Sequence, residues 1–189
     1  MKILFLVLFS VVSLAVPAMA QDAMIQQGYD SLGVNRTDFS TKNSKIEKQD
    51  AAYLDRLFAV TDEIMVVRLS ALQQLYHNAN VDTVKDYNRV VDDMLGRLSQ
   101  SRAPQHLAYV ETTIISAIRE QQQFLNQWAS AKDTPEFDHI KNSYAAAPLV
   151  SSSHQKLLDA YGELMGIYAY ENGHNKKAFY SHLCALDFI

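Results

Sequence analysis

Residues 54 to 75, LDRLFAVTDEIMVVRLSALQQL, decide the fold class. Within them Leu54, Leu57, Phe58, Thr61, Ile64, Met65, Arg68, Leu72 and Leu75 recur at steps of three and four. That is the period of an α-helix with one face turned to a core. Val66, Val67 and Leu69 widen the apolar face and mark this as the most buried helix. The pattern starts near Ser44, and Asn78 and Asn80 end it, so a helix is expected over Ser44 to Asn78.

The same period continues outward. A second helix is expected from Val81 to Gln100, with Val84, Tyr87, Val91, Met94, Leu95 and Leu98 as a narrow stripe. A third opens at Ser101-Arg102-Ala103-Pro104, a cap followed by an early proline, and runs to about Ala131 on Leu107, Val110, Ile114, Ala117, Ile118, Phe124, Leu125 and Trp128. Thr134 to Tyr144 reads as a short linking helix. In Ser151-Ser152-Ser153-His154-Gln155, Ser152 and Gln155 match a capping box for a fourth main helix. That helix carries Leu157, Leu158, Tyr161, Leu164, Met165 and Tyr168, and Gly173 suits a left-handed stop. A final segment, Asn175 to Asp187, is too short to persist alone in water. It is expected to dock near Leu164, Met165 and Tyr168. Six Gly, four Pro and no alternating apolar runs exclude an all-β chain. The expectation is an all-α, up-down bundle of about four main helices plus a short C-terminal helix.

The first 20 residues read as a signal peptide. Lys2 supplies the positive start, Ile3 to Val16 the apolar run, and Pro17-Ala18-Met19-Ala20 a small-x-small site, with cleavage expected between Ala20 and Gln21. Residues 21–43 are polar and read as a loosely ordered N-terminal arm, with one short helix around Met24 to Tyr29. Residues 44–189 then form a single helical-bundle domain. No later stretch is apolar enough to span a bilayer. The expected location is the periplasm, or the exterior by secretion.

Composition narrows the function classes. At 48% hydrophobic and 20% charged, the chain suits a packed globule. A net charge of −4 gives no footprint for nucleic acid or an anionic membrane. The chain lacks C-x-x-C-H, C-x-x-C, H-E-x-x-H, G-x-S-x-G and a phosphate-binding glycine loop. Cys184 is the only cysteine, so no intrachain disulfide forms, and its apolar helical setting suits a small buried residue.

Two features carry chemistry. Glu136-Phe137-Asp138-His139 and Glu171-Asn172-Gly173-His174 are paired Glu-x-x-His units, whose ends share a helix face and suit metal ligation when joined by carboxylates from two other helices, such as Glu63 with Glu111 or Glu120. Against this, the first unit lies in a short linking helix and the second straddles a helix end. The other feature is Arg68, on the apolar stripe with no acidic neighbour three or four residues away. It either snorkels to water or, if buried, needs a carboxylate from another helix, with Glu111 and Glu163 as candidates. Gly162 and Gly166, four apart, suit a close helix crossing or a pocket walled by Tyr161, Tyr168 and Tyr170.

These readings favour an exported, non-enzymatic helical protein of the bacterial envelope that binds a protein partner, in the manner of an immunity protein or a chaperone, with no cofactor. The alternatives are a metal- or haem-binding periplasmic carrier, and an enzyme without a short motif. Oligomeric state is left open.

Overall fold

In the computed structural model, which describes residues 18–187, the chain is all-helical. The elements are α1 (Ala18–Leu32), α2 (Lys48–Asn78), α3 (Asp82–Ser99), α4 (Ala108–Ser130), α5 (Pro135–Ser143), α6 (Pro148–Ile167) and α7 (Gly173–Ala185). No helix among the described residues is long and apolar enough to cross a membrane. The proposed leader lies mostly outside the described residues.

The stripes read from the sequence form the core. Leu54, Leu57 and Ile64 of α2, Val91 and Leu98 of α3, Ile114 and Leu125 of α4, and Leu157 and Leu164 of α6 are all buried in one cluster. α4 packs along α6 and α2 along α3. α2 stops where Ala79 turns left-handed, at φ 48°, and returns its N–H to Leu75. α7 docks as expected on α6, with Phe179 6.0 Å from Tyr168, and it also packs on α2 and α1.

Several local readings change. α6 begins at Pro148, a turn before the expected capping box, because proline in the first turn has its φ preset for a helix and needs no N–H there. Ser152 therefore lies inside the helix and donates to Glu120 at 3.0 Å. Gly173 is the first residue of α7 rather than a left-handed stop; Asn172 caps that helix, accepting from the Asn175 N–H at 2.9 Å. Leu158, assigned to the core stripe, is 46% exposed, and Leu72 is only half-buried.

The N-terminal segment departs most from its sequence reading. The short helix expected around Met24 to Tyr29 extends over residues 18–32, and Tyr29 is fully buried. α1 crosses α2 at Gly28, where a Cβ would stand 2.5 Å from the Met65 sulfur, so glycine permits the approach. Residues 34–47 then run back along α7 as a strap. Polar content misled the reading, because the strap's backbone is answered by α7 side chains rather than by its own helix or sheet.

Candidate functional site

Three buried polar assemblies hold α7 in place, and they contain most of the chemistry-bearing side chains. The first centres on Arg68. It is fully buried, so it does not snorkel. Its guanidinium donates to the Ala185 carbonyl at 3.0 Å, to the Leu186 carbonyl, and to Gln121 Oε1 at 3.4 Å. Gln121 in turn donates to the Leu186 carbonyl at 2.8 Å and to Ser153 at 3.1 Å. Arg68 thus caps the C-terminus of α7, where carbonyls lack intrahelical partners and the helix dipole is negative. Burial pulls its pKa down to about 10, against the opposing influence of Tyr87 and Asp187, so it stays cationic at neutral pH. Neither acidic partner expected from the sequence is used: Glu163 is exposed, and Glu111 lies beside Tyr53, whose hydroxyl pKa is raised by burial and by that carboxylate. Asp187, itself bonded to His154 Nδ1, supplies negative charge near Arg68. Periodicity along one helix cannot reveal a partner that is the backbone end of another.

The second assembly joins α1, α2 and α7. Asp62 Oδ1 accepts from the Tyr29 hydroxyl at 2.7 Å and lies 2.8 Å from His182 Nδ1; the hydroxyl and that nitrogen are 3.0 Å apart. Phe58 stacks on the imidazole at 4.5 Å between centroids. A carboxylate acceptor at Nδ1 assigns the imidazole proton to that nitrogen. Nε2 has no partner among the described residues. Burial, then the Asp62 charge, drives the Tyr29 hydroxyl pKa far upward, so it remains a donor. Asp62 and His182 are each 4% exposed and Tyr29 is not exposed at all. An Asp–His–Tyr group this enclosed presents no atom to a dissolved substrate, and its chemistry is cohesion between three helices. A similar clamp sits in the first turn of α2, where Asp50 accepts from Tyr168 at 2.9 Å and pairs with His106 Nε2 at 2.8 Å.

The third assembly uses Glu171 and His174 on the strap. Glu171 accepts from the Lys45 N–H at 2.8 Å, Ser44 Oγ at 3.2 Å and Asn175 at 3.1 Å. His174 Nε2 contacts the Asp38 carbonyl at 2.9 Å. Asn175 pairs with both backbone groups of Ser40, and Ser181 bridges Asn35 and Thr37. Burial opposes the Glu171 charge, but the donors from Asn172, Lys45, Ser44 and Asn175 outweigh it and hold the carboxyl below its ordinary range.

The structure does not join the two Glu-x-x-His units. Glu136 and His139 are exposed on α5. Glu63 pairs with Gln21 at 2.8 Å, and Glu120 with Ser152 and Lys156. No group of three or more metal-type side chains gathers among the described residues. Cys184 is half-buried on α7. Sequence reasoning missed Tyr29, Asp62 and Asp50; the only local signals were an acidic residue just before the apolar stripe, Asp50, and one within it, Asp62.

The chain matches no protein-family model, no curated protein and no solved structure. Its function must therefore be argued from its own surface and clefts.

Proposed function

We propose that the chain is an exported, non-enzymatic protein of the bacterial envelope that binds a protein partner through the outer face of α6. The observation that carries this reading is a patch that packs against little among the described residues. Gly162 and Gly166 are exposed, and a Cβ at either would meet nothing within 4 Å. They do not serve the close crossing or the walled pocket expected from the sequence. A glycine inside an exposed helix costs about 1 kcal/mol relative to alanine, so a contact outside the chain is the physical reason to keep two. Leu158, 46% exposed, lies one turn away, and Tyr161 stands edge-on to Tyr180, which is 54% exposed, at 5.8 Å. Exposed tyrosine beside open backbone is the chemistry of a helix-docking surface.

Export rests on Lys2, the apolar run to Val16, and the site ending at Ala20. Cutting there removes three residues of α1 and leaves the docking residues Ile25, Gly28 and Tyr29 intact. N-terminal sequencing of envelope-fraction protein should begin at Gln21; an intact Met1 would refute export by cleavage. The short connections between α2 and α3 and between α4, α5 and α6 support an up-down arrangement.

The partner surface is tested with a photocrosslinking amino acid placed at Leu158, and at Lys85 on the exposed face of α3 as a control. A discrete adduct from position 158 alone is expected in cells. Gly162→Ala should weaken that adduct while raising the isolated chain's stability by up to about 1 kcal/mol. No adduct at 158, or equal adducts at both positions, would overturn the reading.

A further inference from the structure

The groove between α1 and α2 is a second candidate, independent of the α6 face. Its volume is about 670 Å³, within the range of small-molecule sites. One wall is α1, with Gln27 and Ser31; the other is α2, with Leu69, Ser70 and Gln73; Trp128 and Tyr144 reach it from elsewhere in the chain. Three properties of this lining point to one ligand chemistry.

First, the lining holds no Asp, Glu, Lys or Arg, and His77 is its one titratable imidazole. Within the lining a charged ligand would lose hydration without meeting an opposite charge; a nearby cation, the Lys141 ammonium, is outside the lining and engaged on the Tyr76 ring, 4.4 Å from its centroid. Second, Trp128 is 1% exposed and its indole N–H meets no acceptor among the described residues. Indole N–H is a donor only, and a buried donor without a partner is a penalty that an arriving acceptor relieves. Third, ring surface is at hand. Tyr76, 39% exposed, also lines the groove and stands edge-on to Trp128 at 6.5 Å.

We propose that this groove binds an uncharged, ring-bearing small molecule whose carbonyl or ether oxygen accepts from the Trp128 indole N–H. Tyr76, as the exposed member of the ring pair, turns aside to admit it. The ring packs on Leu69 and Tyr76, and the amides and hydroxyls of Gln27, Ser31 and Gln73 meet its polar edge. The groove exists only while α1 is docked, and the Tyr29–Asp62–His182 clamp, outside the lining, holds that wall in place. This explains why a polar N-terminal segment is held so firmly.

Trp128 is the only tryptophan, so a nitrogen-15 correlation spectrum of the full processed chain carries one indole N–H peak. The probe is coumarin, neutral with a ring carbonyl, and its matched control is coumarin-3-carboxylate, which adds a negative charge to the same body. Coumarin is expected to move the indole peak downfield saturably, at concentrations up to about 1 mM, and the carboxylate to leave it in place. Trp128→Phe keeps a ring and removes the donor; it should weaken coumarin binding, measured by equilibrium dialysis with coumarin's absorbance, about tenfold. Ser70→Tyr fills the groove from its half-buried wall and should abolish binding. An indole peak unmoved by coumarin, an equal response to the carboxylate, or undiminished binding by Trp128→Phe would each overturn the proposal. If Ser70→Tyr does not fold, Trp128→Phe decides alone.

Discussion

The contact between α4 and α6 is mostly apolar, and the seat of α7 is mostly polar. Ile114, Ala117 and Leu125 face Leu157, Ala160 and Leu164 across an apolar interior, whereas α7 is fixed by Arg68, Asp62, His182, Asn175 and Glu171. Apolar packing is proportional to area and weakly directional, so the register of α4 on α6 is pinned mainly by the few polar pairs within that contact, Gln121 with Ser153 and Glu120 with Ser152 and Lys156. The α7 seat is different: a guanidinium must find the last carbonyls of the helix, and a tyrosine and a histidine must find one carboxylate oxygen. Shifting α7 by one turn would leave each of these groups buried and unanswered. The interior supplies stability, and the α7 seat fixes where α1 and the strap lie.

The largest test of that difference is Arg68→Ala. Removing the guanidinium opens a cavity and strands the Ala185 carbonyl, so a loss of about 3–5 kcal/mol is expected in chemical denaturation. Arg68→Met fills the space without answering the carbonyls and should cost only about 1–3 kcal/mol. If methionine costs as much as alanine, Arg68 matters through charge rather than as a packed cap. On the apolar side, Ile114→Ala and Leu164→Ala should each cost about 2–5 kcal/mol. Leu72→Ala, at a half-buried position, should cost less than either. Equal losses at all three would remove the distinction between the deep stripe and its edge.

The two regions were not equally legible in the sequence. Every stripe residue assigned to α3 and α4 is buried, because a 3.6-residue period is a property of one helix read alone. The seat of α7 is not periodic. Asp62 sits beside Glu63 in the sequence, and nothing local tells the buried carboxylate from its half-buried neighbour. Tyr29 lies in a polar segment with one strong apolar anchor, and its partner is 153 positions away. Arg68 was visible as an anomaly, yet its partners are backbone carbonyls, which every residue carries. The Glu-x-x-His units were visible as motifs, but motif spacing is local, while ligation needs four elements to converge. Leu158 was misplaced for the converse reason: the helix face is broad enough to take it, but the described residues leave it 46% exposed.

Tyr29→Phe tests the clamp with a smaller change. The ring stays and the hydroxyl goes, leaving Asp62 to His182 alone, so a global loss of about 1–2 kcal/mol is expected. The effect should be larger locally. Amides of α1 should exchange faster while those of α4 keep their protection, as expected when one unit opens independently. Equal acceleration in both helices would mean that α1 and the core unfold together, and that the two regions are energetically one.

The smallest effect concerns the strap and depends on pH. Glu171 has its carboxyl held below the usual glutamate value of 4.5, chiefly by donors from Asn172, Lys45 and Ser44 acting against burial. A depressed acid pKa means that the folded form binds this proton less readily than the unfolded form does. The stabilisation is therefore complete well above pH 4.5 and is lost as pH falls below that value, through the folded pKa. The Lys45 amide, which donates to Glu171 at 2.8 Å, should keep its protection at neutral pH and lose it in this acid window. Glu171→Gln keeps an acceptor oxygen but not the charge, so it should weaken Lys45 protection at neutral pH and flatten its acid dependence. Ser181, which bridges Asn35 and Thr37, holds the other end of the strap without a titrating group, so protection at Thr37 should fall less than at Lys45. If acid releases both positions together in the wild-type chain and in Glu171→Gln alike, the strap is held as one unit by something other than the Glu171 carboxylate.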